Sequence, residues 1–90
     1  MGPMTSVLAN YVLALHHGAQ RTHRAEDRPA YRQLLADAAV LLALAETSAP
    51  SAELASAVRA HERLRGQLWL DDPVHEESTA AWAVVGRHVA

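Results

Sequence analysis

Three prolines inside the chain limit its fold more than any other feature. Each follows a short polar segment: Glu26–Arg28 precedes Pro29, Thr47–Ala49 precedes Pro50, and Asp71–Asp72 precedes Pro73. Within a helix, proline is tolerated mainly in the first turn, and Asp and Ser are good N-cap residues, so each segment predicts the end of one helix and the start of the next. The predicted helices run near residues 5–25, 29–47, 51–70 and 73–89.

Between these breaks the residues favour helix. Ala, Leu, Glu, Gln and Arg predominate, and no stretch alternates apolar with polar residues as a half-buried strand does. A chain of 90 residues makes one domain, and short connections favour antiparallel neighbours. We therefore predict an all-α fold, a small antiparallel up-down-up-down four-helix bundle over residues 4–90, and treat residues 1–3 as a cloning remnant or a disordered start.

Each predicted helix carries an apolar stripe at helical spacing. The stripes are Leu8, Tyr11, Val12, Leu15, Ala19 and Thr22 in helix 1; Tyr31, Leu34, Leu35, Ala38, Leu41, Leu42 and Ala45 in helix 2; Leu54, Ala57, Val58, His61, Leu64 and Leu68 in helix 3; and Val74, Ser78, Ala81, Trp82, Val85 and Val89 in helix 4. Gly66 and Gly86 interrupt helices 3 and 4, where we expect close crossings between helices.

His61 is the polar residue that fits its stripe least well. It lies near the centre of the helix 3 stripe, and burial of an imidazole is unfavourable unless both ring nitrogens find partners. It is either a core histidine bonded to a carbonyl, to Tyr11, to Tyr31 or to water, or a ligand-binding, proton-transfer or metal-binding residue inside the bundle. The residues that could converge on it are His16, His75, Tyr11, Tyr31, Glu62 and Arg65.

The histidines of the first helix do not have the spacing of a metal site. His16 and His17 point about 100° apart, and His23 lies about 10 Å along the axis from His16. Chelating histidines on a helix normally stand four residues apart. Cysteine is absent, which excludes a thiolate metal site and a disulfide framework. We predict no metal and no cofactor.

Catalytic motifs are also missing. The sequence has no glycine-rich phosphate loop, no nucleophile elbow and no paired-carboxylate arrangement. The adjacent acids near the fourth helix have structural explanations, because Asp71 and Asp72 suit a linker and a cap, and Glu76 and Glu77 suit the helix dipole. An enzyme is therefore not favoured, although the alternative around His61 leaves one open.

Helix 2 has a second apolar face. Val40 and Leu44 lie one turn apart on the side opposite the main stripe. Every helix of a four-helix domain is peripheral to one core, so a second chain would have to cover this face. We predict a non-catalytic interaction module that forms a homodimer or docks on a partner protein through Val40, Leu44 and Leu13. Two alternatives stay open: scattered exposed aliphatics, and a small-molecule or metal-binding bundle around His61, Arg65, Tyr11, Tyr31 and His16.

Nucleic acid is a weaker candidate partner. The formal net charge is −2, whereas nucleic-acid binders normally carry a basic surplus. A small DNA-binding regulator would need helix 3 as its recognition helix, with Arg59, Arg63 and Arg65, but Glu53 and Glu62 dilute that charge.

Membrane insertion is not expected. The apolar stretch Val7–Leu15 is much shorter than the roughly 20 residues of a membrane span, and no positive segment precedes it as in a secretory signal. The cytoplasm is the expected location.

The residue composition indicates the kind of genome. All basic residues are Arg, and Lys, Ile and Phe are absent, which is typical of a high-GC bacterial genome.

Overall fold

The computed structural model describes residues 3–47, 50–68 and 75–89. Within these residues the chain forms four α-helices and no strand, which confirms the predicted all-α fold. The helices are α1 (Pro3–Arg21), α2 (Arg28–Glu46), α3 (Ser51–Gln67) and α4 (His75–Val89), and a short 3₁₀ turn (Ala25–Asp27) joins α1 to α2.

Two of the three prolines lie where the sequence places them. Pro29 is the second residue of α2, and Pro50 immediately precedes α3 with φ −53° and ψ 141°. Both positions need no intrahelical N–H donor, so proline is accommodated without loss of a hydrogen bond. Pro73, Val74 and the cap predicted at Asp72 lie outside the described residues.

The first helix ends four residues earlier than predicted. The backbone N–H of Thr22 donates to the carbonyl of Gly18 at 3.0 Å, and Arg24 then adopts an extended conformation with φ −101° and ψ 106°. The backbone N–H of Arg24 donates to the Thr22 hydroxyl at 3.2 Å. A Thr side chain that bonds to nearby backbone competes with the hydrogen bonds of the helix and favours its end. Residue periodicity does not reveal this competition.

The third helix is also shorter than predicted. Leu68 has φ −97° and ψ 110°, so α3 ends at Gln67 instead of near residue 70. The N–H of Leu68 still donates to the Leu64 carbonyl at 3.1 Å and closes the last turn. The predicted helical residues 69 and 70 lie outside the described part of the chain.

Contacts between helix ends give the directions of the helices. The pairs that join the end of one helix to the start of another are Gly18 with Tyr31, Arg65 with Thr79, and His17 with Glu77. These contacts make α1 antiparallel to α2, α3 antiparallel to α4, and α1 antiparallel to α4. It follows that α2 and α3 are antiparallel as well. The helices form a ring in which α1 packs on α2 and α4, and α3 packs on α2 and less extensively on α4.

The predicted stripes supply the core. The buried apolar cluster consists of Leu8, Tyr11, Leu15, Tyr31, Leu34, Ala38, Leu41, Val58, Trp82 and Val85. Every one of these residues belongs to a stripe predicted from helical periodicity. Because Phe and Ile are absent, the leucines, the two tyrosines and Trp82 fill most of the core volume.

The expected close crossings at Gly66 and Gly86 are wrong. A Cβ atom built at either position has no neighbour within 4 Å in the part of the chain that the structure describes. The close approach occurs at Gly18, where a Cβ atom would lie 2.5 Å from Cε1 of Tyr31. Glycine at position 18 lets the end of α1 rest on the tyrosine ring of α2.

Candidate functional site

His61 is the buried centre of a group of polar side chains contributed by all four helices. We call the group the polar cluster; it consists of Tyr11, Asp37, His61, Arg65, His75, Ser78 and Thr79. His61 itself is fully buried, as the sequence predicted.

Both ring nitrogens of His61 have partners. Nδ1 lies 2.7 Å from Oδ2 of Asp37, and Nε2 lies 2.6 Å from the hydroxyl of Tyr11. An ionised carboxylate only accepts hydrogen bonds, so Nδ1 carries the proton and donates to Asp37. Nε2 is then the acceptor, and the Tyr11 hydroxyl donates to it. The imidazole is thereby held in one tautomer and one orientation.

Arg65 connects this chain of hydrogen bonds to α4. One guanidinium nitrogen donates to the Tyr11 hydroxyl at 2.9 Å and to Ser78 Oγ at 3.4 Å. The other donates to Thr79 Oγ1 at 2.8 Å and lies 3.4 Å from Nε2 of His75. The guanidinium carbon is also 5.6 Å from the centroid of the Tyr11 ring, within the range of a cation–π contact. Arg65 therefore ties α3 to both α1 and α4.

Aromatic rings enclose the centre of the polar cluster. The Trp82 ring centroid lies 4.9 Å from that of Tyr11 and 4.7 Å from that of His61. The rings of Tyr11 and His61 meet edge to face at 5.3 Å and 89°. Such geometries are favourable for aromatic pairs, and the rings of Tyr11 and His61 are fully buried beside Trp82.

Burial dominates the electrostatics of the cluster. Burial raises the pKa of Tyr11 to about 12, although Arg65 acts to lower it. Burial lowers the pKa of His61, although the hydrogen bond to Asp37 and its charge act to raise it. At neutral pH Tyr11 is thus a protonated donor and His61 a neutral imidazole, which agrees with the hydrogen-bond directions above.

The Asp37–His61–Tyr11 order has the form of a proton relay, but access limits its chemistry. A group that reacts with a substrate has to touch it, and both Tyr11 and His61 are fully buried. Asp37 reaches solvent, with its side chain 43% exposed. The arrangement suits a structural role instead, since a fully paired polar network fixes how the helices pack.

The predicted candidates divide into two groups. Tyr11, Arg65 and His75 meet His61 in the polar cluster. Tyr31 is fully buried and packs its ring against Gly18. His16 and Glu62 have exposed side chains and are not members of the cluster.

Sequence reasoning missed Asp37, which bonds directly to His61, and did not name Ser78 or Thr79 as partners of the cluster. Asp37 lies three residues after Leu34 and four before Leu41, at the edge of the α2 stripe. A carboxylate on the border of an apolar stripe is a signal for a polar partner across the helix contact. The position of that partner depends on which helix lies beside α2.

A surface groove separates α2 from α3 on the outer side of the bundle. It encloses about 570 Å³ and is lined by Gln33, Ala36, Asp37, Val40, Ala60, Arg63, Leu64 and Gln67. We call it the α2/α3 groove. Val40 is 55% exposed beside it, and Leu44, one turn further along α2, is half-buried. Of the two residues predicted to form the second apolar face of helix 2, Val40 is exposed and lines the groove, whereas Leu44 is partly covered within the chain and is not a lining residue.

Leu13 lies on the other side of the bundle. It is 53% exposed and stands one turn before His17, which bonds to Glu77 of α4 at 2.9 Å. In a ring of four helices the α1/α4 side is opposite the α2/α3 side. A single flat partner surface would not contact both Leu13 and Val40.

Surface charges are arranged in small local groups. Glu77 accepts from His17 and lies 3.8 Å from Arg21. Arg59 and Arg63 of α3 are exposed, but Arg65 belongs to the polar cluster and does not extend their row.

No three His, Asp or Glu side chains among the described residues are grouped to hold a metal ion. None of the four described helices combines the length and the hydropathy that a membrane span requires.

The fold and the cluster define the class of protein, a small antiparallel four-helix bundle with a buried polar network. Comparisons of the chain with protein-family models, with curated proteins and with solved structures give no match.

Proposed function

We propose that this chain is a non-catalytic interaction module, which binds a second protein chain through the α2/α3 groove. The observation that carries the proposal is the exposure of Val40, 55% of whose surface faces solvent beside a groove. The opposite side of α2 packs on the core through Tyr31, Leu34, Ala38 and Leu41. A helix with apolar residues on two sides is typical of a helix between two packed partners.

The energetics favour a covered face. Burying a valine side chain contributes about 1.5–3 kcal/mol, so covering the exposed half of Val40 contributes on the order of 1 kcal/mol. Asp37 and Arg63 give the groove hydrogen-bonding groups of both signs, and the two glutamines add neutral donors and acceptors. Apolar centres with a polar rim are the usual composition of protein–protein interfaces.

Burial weighs against the alternative of a small-molecule or metal-binding bundle. A ligand at His61 would have to displace Tyr11, Trp82 or Asp37, each of which contacts the imidazole. For the DNA-binding alternative, Arg65 is engaged with Tyr11 and Thr79, which leaves only part of the proposed basic row on the surface.

Cysteine labelling in cells of the source organism tests the proposal. The chain has no cysteine of its own, so Val40→Cys and Leu13→Cys each introduce a single thiol. The two positions are a matched pair, with exposures of 55% and 53% on opposite sides of the bundle. We expect a membrane-permeable maleimide to label position 40 several-fold more slowly than position 13 in cells, and both equally in dilute purified protein. Equal labelling of the two positions in cells would contradict the proposal.

A further inference from the structure

We propose that the occupant of the α2/α3 groove is the same groove of a second copy of this chain, in a two-fold dimer that pairs Asp37 of each copy with Arg63 of the other. This inference rests on the proposed function and names its partner. The argument comes from the register of α2 against α3, the charges in the groove and the area of this side of the bundle.

The two walls of the groove carry the same helical spacing in opposite directions. From Asp37, one turn back along α2 leads to Gln33, and one turn forward along α3 from Arg63 leads to Gln67. Because the helices are antiparallel, these steps move in the same direction along the groove. The hydrogen bond between Asp37 and His61 gives the level of α3 against α2. Arg63 is two residues further along α3 and lies about 3 Å from the level of Asp37, and the same offset separates Gln67 from Gln33 and Ala60 from Val40. Each amide, charged group and aliphatic group on one wall therefore has its counterpart within about half a turn on the other wall.

This pairing makes the groove complementary to itself. In a two-fold interface the same patch meets itself, and an axis that runs along the groove places α2 of one copy over α3 of the other. Residues keep their level under this rotation. Asp37 then faces Arg63 of the second copy, and Val40 faces Ala60, twice in each dimer. A groove with one charge sign on both walls would repel its own copy.

Within residues 3–47, 50–68 and 75–89, neither Asp37 nor Arg63 has a fully charged partner of opposite sign. Arg63 makes no hydrogen bond and no ion pair there, and its side chain is exposed. Asp37 uses one carboxylate oxygen to accept from His61, and its side chain remains 43% exposed. The bond to His61 fixes the direction of the carboxylate before a partner arrives, which lowers the entropy lost on binding.

The size of this side of the bundle matches a dimer. The chain measures 38 × 23 × 19 Å, so one lateral face has a projected area of roughly 800 Å². A standard stable interface buries about 800 Å² of accessible surface on each partner and would therefore occupy such a face. The groove and the flanking turns of α2 and α3 occupy most of such a face, since α2 alone has 19 residues and spans about 28 Å.

Sedimentation equilibrium of the full chain tests the inference. We expect a species of twice the 9.7 kDa chain mass, and we expect Arg63→Asp to weaken the dimer by about tenfold or more, because it places two acids opposite each other twice. Arg87→Asp on α4 is the matched control, with the same change in net charge outside the α2/α3 side, and is expected to leave the dimer unchanged. Both arginines are exposed, so circular dichroism should report the same helical fold for both variants.

Disulfide trapping tests the geometry directly. Isotopically distinct Val40→Cys and Ala60→Cys chains are mixed and oxidised, and mass spectrometry counts the three cross-linked dimers. The proposed axis predicts that 40-to-60 links dominate over 40-to-40 and 60-to-60 links. A predominance of either like-to-like link, or a dimer that Arg63→Asp does not weaken, would overturn the proposed pairing.

The two proposals fail in different ways. A wild-type chain that sediments as a monomer at millimolar concentration overturns the self-association, and slow labelling of position 40 in cells would then assign the groove to a different protein. Fast labelling of position 40 in cells overturns the interaction function itself.

Discussion

Replacing Gly18 with alanine should destabilise the bundle, although alanine normally stabilises a helix. Gly18 is the fourth residue from the end of α1, and Gly86 is the fourth residue from the end of α4. Gly86 is therefore a matched control for helix propensity. The two positions differ in their surroundings, because a Cβ at Gly18 meets the Tyr31 ring and a Cβ at Gly86 meets none of the described residues within 4 Å.

The magnitude follows from the contact distances. The new Cβ would lie 2.5 Å from Cε1, 2.7 Å from Cζ and 2.8 Å from the hydroxyl oxygen of Tyr31. Carbon atoms pack best at about 3.5–4.0 Å, so the ring has to move by about 1 Å. Tyr31 is fully buried, and overpacking of this kind costs about 1–3 kcal/mol. The gain in helix propensity from glycine to alanine is about 0.5–1 kcal/mol.

Urea unfolding followed by circular dichroism measures the difference. We expect Gly86→Ala to raise the free energy of unfolding by about 0.5–1 kcal/mol, and Gly18→Ala to fall about 1–3 kcal/mol below Gly86→Ala. For a domain of this size, 1 kcal/mol corresponds to about 4–8 °C in Tm. If Gly18→Ala stabilises the chain as much as Gly86→Ala, the close packing of α1 on Tyr31 does not exist in solution.

The other predictions concern the polar cluster. Tyr11→Phe removes the donor to His61 and an acceptor of Arg65, and should lower the free energy of urea unfolding by about 1–3 kcal/mol; an unchanged value would show that the network contributes nothing. Burial raises the pKa of Tyr11 from 10.0 to about 12, so the contribution of its protonated form to the free energy of unfolding is complete below pH 10 and is lost as the pH rises through 12. This alkaline loss of stability, about 2–3 kcal/mol, should be absent from Tyr11→Phe. The pKa of His61 is lowered in the fold, so the contribution of the neutral imidazole to the free energy of unfolding is complete above its ordinary pKa of 6.5 and is lost as the pH falls through the folded pKa. An imidazole titration by NMR should find His61 still neutral below pH 6.5. A titration at the ordinary pKa would refute its burial. Since Asp37 acts to raise that pKa, Asp37→Asn should lower it further in the same titration, and a rise would show that the carboxylate is not bonded to Nδ1.

The polar cluster illustrates how far residue patterns lead. Periodicity predicted that His61 faces the core and named Tyr11 and Arg65 among its neighbours, because a position on a helix fixes the direction of a side chain relative to that helix's own axis. The same reasoning included His16, which is exposed. It could not identify Asp37, since its contact with His61 depends on the level at which α2 and α3 meet.

The sequence by itself determined the class of fold and the composition of the core. Proline-containing breaks determine where each helix begins or ends, and the 3.6-residue period selects its buried face. Both effects depend on the local sequence of one helix. Only the tertiary structure decided which glycine touches a neighbour, which carboxylate meets His61, and that Leu13 and Val40 lie on opposite sides. Those facts depend on the order, direction and level of packed helices, which are set by how four stripes fit together in space and not by the pattern of any one of them.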